Sequence, residues 1–210
     1  MIGDFDSALR VVTVGAWLVF LAQAYAAAMR PELRLPLGLL VIANIAAMLA
    51  GGGLLLAGSA GEPVVLMLAA FVPFATWIAV LRMIGQGPER RTALVAALAV
   101  AATFAAARYS GDAGEPAFYA LRVLNVLFAA DMVRAAFAGR AVDHVPERRA
   151  LRTTLVPLAA LQAGAPCLAQ LILGTSDLPG SISLAQGALT LALALLLALA
   201  LFTPERALLD

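Results

Sequence analysis

The sequence predicts an all-α polytopic membrane protein, a bundle of seven transmembrane helices. Its 210 residues are 63% hydrophobic and 13% charged, whereas a soluble domain is about 45 to 50% apolar and about 25% charged. Seven apolar runs, each about long enough to cross a bilayer as a helix, are separated by short polar turns. None alternates like a strand, and backbone facing lipid must close its hydrogen bonds internally, which a helix does.

The seven predicted spans are residues 8–29, 37–58, 64–84, 92–108, 117–137, 153–173 and 182–202. The first turn, 30–36, is basic and contains two prolines, which break helices. The third span contains Pro73, and the loop 138–152 is the longest and most basic. Residues 1–203 are therefore predicted to form one seven-helix transmembrane domain, and residues 204–210 to begin a cytoplasmic linker or tail.

The arginines set the predicted orientation, because cytoplasmic loops collect basic residues. All fourteen basic residues are arginine. One side of the predicted membrane holds Arg30, Arg34, Arg82, Arg90, Arg91, Arg134, Arg140, Arg148, Arg149, Arg152 and Arg206. The other side holds Arg10, Arg108 and Arg122 among several acidic residues. The sequence predicts a multi-pass protein of the cell (inner) membrane, with its amino terminus outside and its carboxyl terminus in the cytoplasm.

Several kinds of chemistry find no support in the sequence. The chain has no lysine, which excludes a lysine Schiff base, and His144 is its one histidine, which excludes multi-histidine zinc sites and bis-histidine haem. The one cysteine, Cys167, cannot form an intramolecular disulfide. No G-x-S-x-G, H-E-x-x-H or glycine-rich phosphate motif occurs. We therefore expect no enzyme activity, no catalytic or metal-binding residue, no cofactor and no direct contact with nucleic acid.

The fifth span, residues 117–137, is the most polar, and we expect it to form the centre of the bundle. It carries Arg122, Asn125, Asp131 and Arg134. An ionised side chain at membrane depth costs about 2.5 to 3.5 kcal/mol on insertion scales, so such groups face a protein interior or a water-filled cavity. At about 1.5 Å per residue, these side chains fall into an outer layer and a deeper layer.

The outer layer is the candidate ligand site. Its predicted members are Arg122, Asn125, Tyr119, Trp77, Gln170 and Gln186. Arg122 has no acidic neighbour on its own helix face, so it could bind a carboxylate or phosphate of a small or amphiphilic ligand. Two alternatives remain open: Arg122 extends to the outer head groups, or it pairs with Glu115 or Asp112. Trp77 could line the same cavity, with Pro73, or pack in the apolar core.

The deeper layer is predicted to hold the helices together. Its members are Asp131, Arg134, Arg82, Gln23 and Asn44. Asp131 and Arg134 are three residues apart and therefore neighbours on one helix face, and Arg82 could share the carboxylate. The alternative is a proton relay or switch, because ionisable groups within membranes are functional candidates by default. The absence of a second carboxylate or a histidine near Asp131 in the sequence argues against proton pumping.

Three segments suggest a family. Residues 73–84 (PFATWIAVLRMI) contain a P-x-x-x-W pattern before a basic turn, residues 132–152 (MVRAAFAGRAVDHVPERRALR) contain D-x-V-x-x-R-R-x-L-R, and the tail is TPERALLD. Together they resemble the seven-helix sensor domains of membrane-bound AraC-type helix-turn-helix transcriptional regulators. The resemblance implies a homodimer, a signal received outside or within the membrane, and a DNA-binding output. No helix-turn-helix domain follows here, so the chain is either an excised membrane domain or a stand-alone relative.

Two functions from different classes follow from these observations. The first is a sensory module that lies in the lipid bilayer, binds a small or amphiphilic ligand in its outer half and relays the signal to a cytoplasmic output. The alternative is a small-molecule or ion transporter, or a channel subunit. A cavity open only to the outside favours the sensor, whereas a polar path continuous through both layers favours transport.

Overall fold

The computed structural model describes residues 2–26, 31–51, 60–111, 114–138, 146–175 and 178–202. Within them lie eight α-helices and no strand. The helices are α1 (Ile2–Ala26), α2 (Pro31–Gly51), α3 (Glu62–Ala70), α4 (Val72–Met83), α5 (Arg90–Tyr109), α6 (Gly114–Ala138), α7 (Pro146–Leu173) and α8 (Gly180–Phe202). The predictions for Asp112, His144 and residues 204–210 lie outside the described residues.

The structure confirms the predicted helical membrane bundle in outline. Five segments are long and apolar enough to cross a membrane: Phe5–Tyr25, Pro31–Gly51, Arg90–Tyr109, Arg152–Leu173 and Gly180–Leu199. The bent pair α3 and α4 becomes a sixth if it counts as one span. The polar helix α6 is outside this set, so length and composition support five or six spans, and the number seven stays a prediction.

The third predicted span, residues 64–84, is broken rather than straight. Helices α3 and α4 meet at Phe71 and are bent by 43° relative to each other. Pro73 is the second residue of α4, and its ring nitrogen cannot donate the hydrogen bond that would continue the helix to the carbonyl of Ala69. The prediction of one continuous helix is corrected at this point, since the proline interrupts the helical hydrogen bonds.

Two segments predicted as loops are helical over the residues that the structure describes, 31–36 of the first and 138 and 146–152 of the second. Residues 30–36 were expected to form a turn, but α2 begins at Pro31 and continues through Pro36. Much of the predicted loop 138–152 is also helical, because α7 begins at Pro146. A proline at the start of a helix costs little, since the first amide groups of a helix have no intrahelical partner. Both helices therefore begin earlier than their apolar runs indicate.

Helix α4 occupies the centre of the bundle. It packs against α2, α6 and α7, and its side chains from Val72 to Leu81 are buried apart from Ile78. The charged helix α6, expected at the centre, instead packs against α4, α5 and α7 and leaves Val123 and Leu127 exposed. The expectation was wrong because charge shows that a helix has one polar face, and does not show how many neighbours surround it.

Exposed apolar side chains cover the outside of the bundle. In α5 only Val100 is buried, whereas Leu94, Val95 and Leu98 are about 60% exposed or more. A contiguous apolar surface is a liability in water and the normal surface of a helix in lipid. The exposure pattern therefore fits a multi-pass membrane protein, as the composition predicts.

A buried arginine near the start of α1 joins three helices. Arg10 is only 5% exposed, its Nε donates to the Asp6 carboxylate at 2.9 Å, and its Nη2 donates to the Ser183 hydroxyl at 2.6 Å. The guanidinium packs directly over Gly51 at the end of α2, where any larger residue would displace it. Helices α1, α2 and α8 are thus held together at one end of the bundle.

Candidate ligand-binding site

A cavity of about 270 Å³ lies beside the break between α3 and α4. Its apolar wall includes Leu66, Ala70, Pro73, Phe104, Leu121 and Leu178. Its polar wall consists of Arg122, Asn125, Gln162, Gln170 and Gln186, with Cys167 among them. The cavity is slightly smaller than the pockets that hold drug-sized ligands, and its mixture of an apolar wall with a few convergent polar groups is typical of small-molecule sites.

Three helices supply the polar wall. Arg122 and Asn125 are three residues apart and therefore share one face of α6. Gln162 and Gln170 of α7 are eight residues apart, which also places them on one face, and α8 contributes Gln186. Four of the six predicted ligand residues, Arg122, Asn125, Gln170 and Gln186, are brought together in this way.

The other two predicted ligand residues, Tyr119 and Trp77, do not line the cavity. The Tyr119 ring packs edge-to-face on Phe118, with ring centroids 5.6 Å apart. The Trp77 indole donates its Nε1 hydrogen to the Asp131 carboxylate at 2.9 Å. Pro73 does line the cavity, so the two residues expected there from α4 are separated by one turn along the helix.

Several buried polar atoms in the cavity wall have no hydrogen-bond partner among the described residues. They are Nε of Arg122, both amide atoms of Asn125 and Oε1 of Gln162. Asn125 is 0% exposed and Gln162 is 1% exposed, so both side chains lie inside the bundle and away from lipid. A buried polar group without a partner costs about 1 to 3 kcal/mol. The cavity is therefore a place where a polar molecule would be stabilised.

Arg122 brings a positive charge to the cavity. Its guanidinium carbon lies 4.7 Å from the centroid of the Phe118 ring, one turn earlier on α6, so an aromatic face supports the cation. Within the described part of the chain, Arg122 forms no ion pair with Glu115 or with any other acidic residue. Cys167 places its sulfur near Arg122 and Asn125, but a thiol is a weak hydrogen-bonding group and does not replace a polar partner.

An aromatic cluster packs between α4 and α6, outside the lining of the cavity. Trp77 stacks on Phe128 with centroids 5.0 Å apart, and Phe74 lies against both rings at 5.9 Å. All three side chains are buried. Because Phe128 lies between Asn125 and Asp131 along α6, this aromatic cluster separates the two polar parts of that helix.

Beyond the aromatic cluster, Asp131 joins α4 to α6. Its carboxylate accepts hydrogen bonds from Trp77 at 2.9 Å and from Nε of Arg134 at 2.8 Å. Arg82, predicted to share this carboxylate, is not one of its partners, and its stem packs over Gly87 in the following turn. The Asp131–Arg134 pair expected from the sequence is therefore present, with Trp77 as the contact to the neighbouring helix.

The two remaining residues of the predicted deeper layer lie elsewhere. Asn44 accepts a hydrogen bond at 3.0 Å from Gln162, which also donates to Thr190 at 3.3 Å, so a junction joins α2, α7 and α8. Gln23 of α1 keeps a buried Oε1 without a partner among the described residues. The depth estimate placed Asn44, Gln23 and Asp131 at one level, but the structure gives them separate neighbours.

Sequence reasoning missed Gln162, although it belongs both to the cavity wall and to the three-helix junction. The eight-residue spacing between Gln162 and Gln170 was a signal that both share the inner face of α7. Arg10 was also missed as a buried group, although its four-residue spacing from Asp6 indicates an ion pair on one helix.

The arrangement can bind an anionic or hydrogen-bonding molecule. Among the described residues, no three histidine, cysteine, aspartate or glutamate side chains could together hold a metal ion. Comparison of the chain with protein-family models, curated proteins and solved structures finds no significant match. What the cavity binds therefore has to follow from its own chemistry.

Proposed function

We propose that the protein is a sensory module of the cell (inner) membrane that binds a small or amphiphilic ligand in the cavity. The single observation that supports this function is a cavity with unpaired buried polar atoms, separated along α6 from Asp131 by a packed aromatic cluster. A receptor needs a specific site and has no need for a path through the bilayer. The barrier formed by Phe74, Trp77 and Phe128 fits that requirement.

The proposal includes seven spans, with α6 and the bent pair α3–α4 joining the five apolar segments. At about 1.5 Å per residue, the 25 residues of α6 extend about 37 Å, which exceeds the hydrocarbon thickness of about 30 Å. The arginine distribution favours an amino terminus outside the cell. The cavity would then open outward, because it is lined by the amino-terminal part of α6.

The junction at Gln162 offers a route from the cavity to other helices. One atom of its amide, Nε2, binds Asn44 of α2 and Thr190 of α8, while the other, Oε1, is unpaired at the cavity wall. A ligand that engages Oε1 would change the orientation or the strength of this junction. The resemblance to AraC-type regulators suggests a homodimer with a cytoplasmic, DNA-binding output, and signalling requires two bundle states with different ligand affinity.

A transporter is the second candidate function, and the bend of 43° between α3 and α4 favours it. Broken helices commonly surround substrate sites in secondary transporters. In that case the aromatic cluster would have to open toward the cytoplasm, so that the cavity becomes accessible from each side in turn.

Cys167 distinguishes the two functions, because it is the one cysteine of the chain and lines the cavity. We would treat spheroplasts and inverted membrane vesicles with an anionic, membrane-impermeant methanethiosulfonate reagent and measure the labelling of Cys167. The sensor is expected to react in spheroplasts and to remain protected in inverted vesicles. The variant Cys167→Ser serves as the control for labelling at other groups.

Labelling from both sides would support the transporter instead. Labelling only in inverted vesicles would contradict the proposed orientation. If Cys167 reacts from neither side, the cavity does not communicate with water, and a ligand site open to the outside is excluded.

A further inference from the structure

We infer that the cavity binds a small carboxylic acid with a single negative charge, a short hydrocarbon part and a neutral O–H or N–H group. A hydroxy acid of medium chain length has this chemistry. The inference rests on the proposed function, in which the cavity receives a ligand, and it adds the class of that ligand. It follows from the charge, the hydrogen-bonding type and the apolar surface of the cavity wall.

The charge of the wall selects an anion. Arg122 is the one ionised side chain among the described lining residues, and none of those residues is acidic. Its Nε is buried without an acceptor, and the amide nitrogen of the fully buried Asn125 is a second donor without an acceptor. A carboxylate can accept from both groups, since hydrogen bonds between ionised partners are the stronger kind.

The acceptors of the wall call for a neutral donor. Oδ1 of Asn125 and Oε1 of Gln162 are buried and receive no hydrogen bond from the described residues. Both are amide oxygens, so they satisfy a hydroxyl or an amide hydrogen without neutralising a positive charge. An ammonium group would lie beside Arg122 with no carboxylate among the described lining residues to balance it. The wall therefore disfavours a zwitterionic amino acid and favours a hydroxy acid.

The rest of the wall is apolar and sets the size of the ligand. Leu66, Phe104 and Leu121 face the same cavity of about 270 Å³, which leaves room for a short hydrocarbon chain beyond the polar groups. Burial of that chain removes apolar surface from water, which favours binding. The ligand is consequently amphiphilic, with its polar end toward Arg122, Asn125 and Gln162.

The experiment uses three probes that differ in one group each. The first probe is 3-hydroxyoctanoate. Octanoate lacks its hydroxyl donor, and methyl 3-hydroxyoctanoate lacks its negative charge. The full chain is purified in lipid nanodiscs, and each probe is titrated while the rate of Cys167 alkylation by N-ethylmaleimide is measured. We expect 3-hydroxyoctanoate to protect Cys167 at a concentration about tenfold lower than either of the others, because each lost contact leaves buried groups unpaired.

Two variants assign the contacts to the residues. Arg122→Gln should weaken protection by 3-hydroxyoctanoate to the level of the methyl ester and leave the ester unchanged. Asn125→Leu should weaken both hydroxylated probes more than octanoate. Arg108→Gln is the matched control, because Arg108 is half-exposed, lies 3.7 Å from Glu62 and does not line the cavity. A monodisperse elution peak and a single cooperative melting transition show that each variant is folded. Protection is expressed relative to each variant's own alkylation rate without probe, because Arg122 and Asn125 lie beside the Cys167 sulfur.

The possible outcomes distinguish an error in the ligand class from an error in the proposed function. Equal protection by all three probes would overturn the inference and leave an apolar ligand site in place. Protection by none of them, while aqueous reagent still reaches Cys167, would also overturn this ligand class and keep the site. If no probe protects and no reagent reaches Cys167, both the ligand class and the proposed function are wrong.

Discussion

Asn44 and Asn125 are both asparagines with no exposed surface, but their surroundings differ. Asn44 donates to the backbone carbonyl of Leu40 at 2.9 Å and accepts from Gln162 at 3.0 Å, so each end of its amide has a partner. Asn125 has a hydrogen-bond partner for neither end within the described residues. The first lies in a three-helix junction, and the second lies in the wall of the cavity.

The difference separates two uses of a polar residue inside a membrane protein. A polar group that is paired across helices contributes to stability, by about 0.6 kcal/mol on average and up to about 1.7 kcal/mol. A buried polar group without a partner lowers stability and is retained where a ligand supplies the partner. Gln162 belongs to both regions, since Nε2 of its amide completes the junction and the residue also lines the cavity, with Oε1 buried and unpaired among the described residues.

The largest expected effect concerns a close contact between α6, which carries Asn125, and α7, which carries Gln162. A Cβ atom added at Gly164 of α7 would come within 2.6 Å of the Ala129 Cβ on α6. Gly164→Val should therefore force the helices apart and lower the free energy of unfolding by about 3 kcal/mol. Reversible unfolding in mixed micelles with increasing dodecyl sulfate measures this loss.

Ala129→Gly provides the matched control for the Gly164 prediction. It removes the methyl group that the new side chain would meet, so the double variant should regain part of the lost stability. If the two losses simply add, the close approach of α6 and α7 at this point does not limit their spacing.

The second prediction tests the two asparagines directly. Asn44→Leu should lower the free energy of unfolding by about 2 kcal/mol, because it leaves the Gln162 amide with one partner fewer. Asn125→Leu should instead raise it, by about 1 kcal/mol, because the wild-type amide is buried without a partner. The same unfolding titration, performed without ligand, gives both values. Equal losses would show that the two asparagines do not differ in their hydrogen bonding.

The smallest effect is expected at the ion pair beyond the aromatic cluster. Asp131→Ala should cost about 1 kcal/mol, because it removes the acceptor for Trp77 between α4 and α6. Arg134→Ala should cost less, since the Arg134 side chain is 72% exposed and exposed ion pairs contribute little. Asp131→Asn keeps an acceptor and should fall between them. A larger loss for Arg134→Ala than for Asp131→Ala would contradict this order.

Composition and depth predicted a substantial part of the structure. The apolar runs indicated the helices, and the position of each polar residue along its span brought Arg122, Asn125, Gln170 and Gln186 to one height. These four residues line one cavity. That they bind a ligand is still a prediction. Height along a helix is available from the sequence because the rise per residue is constant.

The neighbours of each side chain were not available in the same way. Trp77 and Pro73 are one turn apart on α4, but Trp77 contacts the Asp131 carboxylate and only Pro73 lines the cavity. The partner of Asn44 is a glutamine 118 positions later in the chain, which no local pattern indicates. The break at Phe71 lies beside Pro73, but Pro36, Pro157 and Pro166 lie inside continuous helices, so the presence of a proline did not show which span would break.

The position of Trp77 has a practical consequence. Trp77 is one of two tryptophans in the chain. Its indole stacks on Phe128 and donates a hydrogen bond to the Asp131 carboxylate. Indole fluorescence depends on hydrogen bonding and on the polarity of the surroundings. With Trp17, which packs against Phe20, replaced by phenylalanine, the emission of the remaining indole becomes an intrinsic optical signal from the boundary between the cavity and the far half of α6.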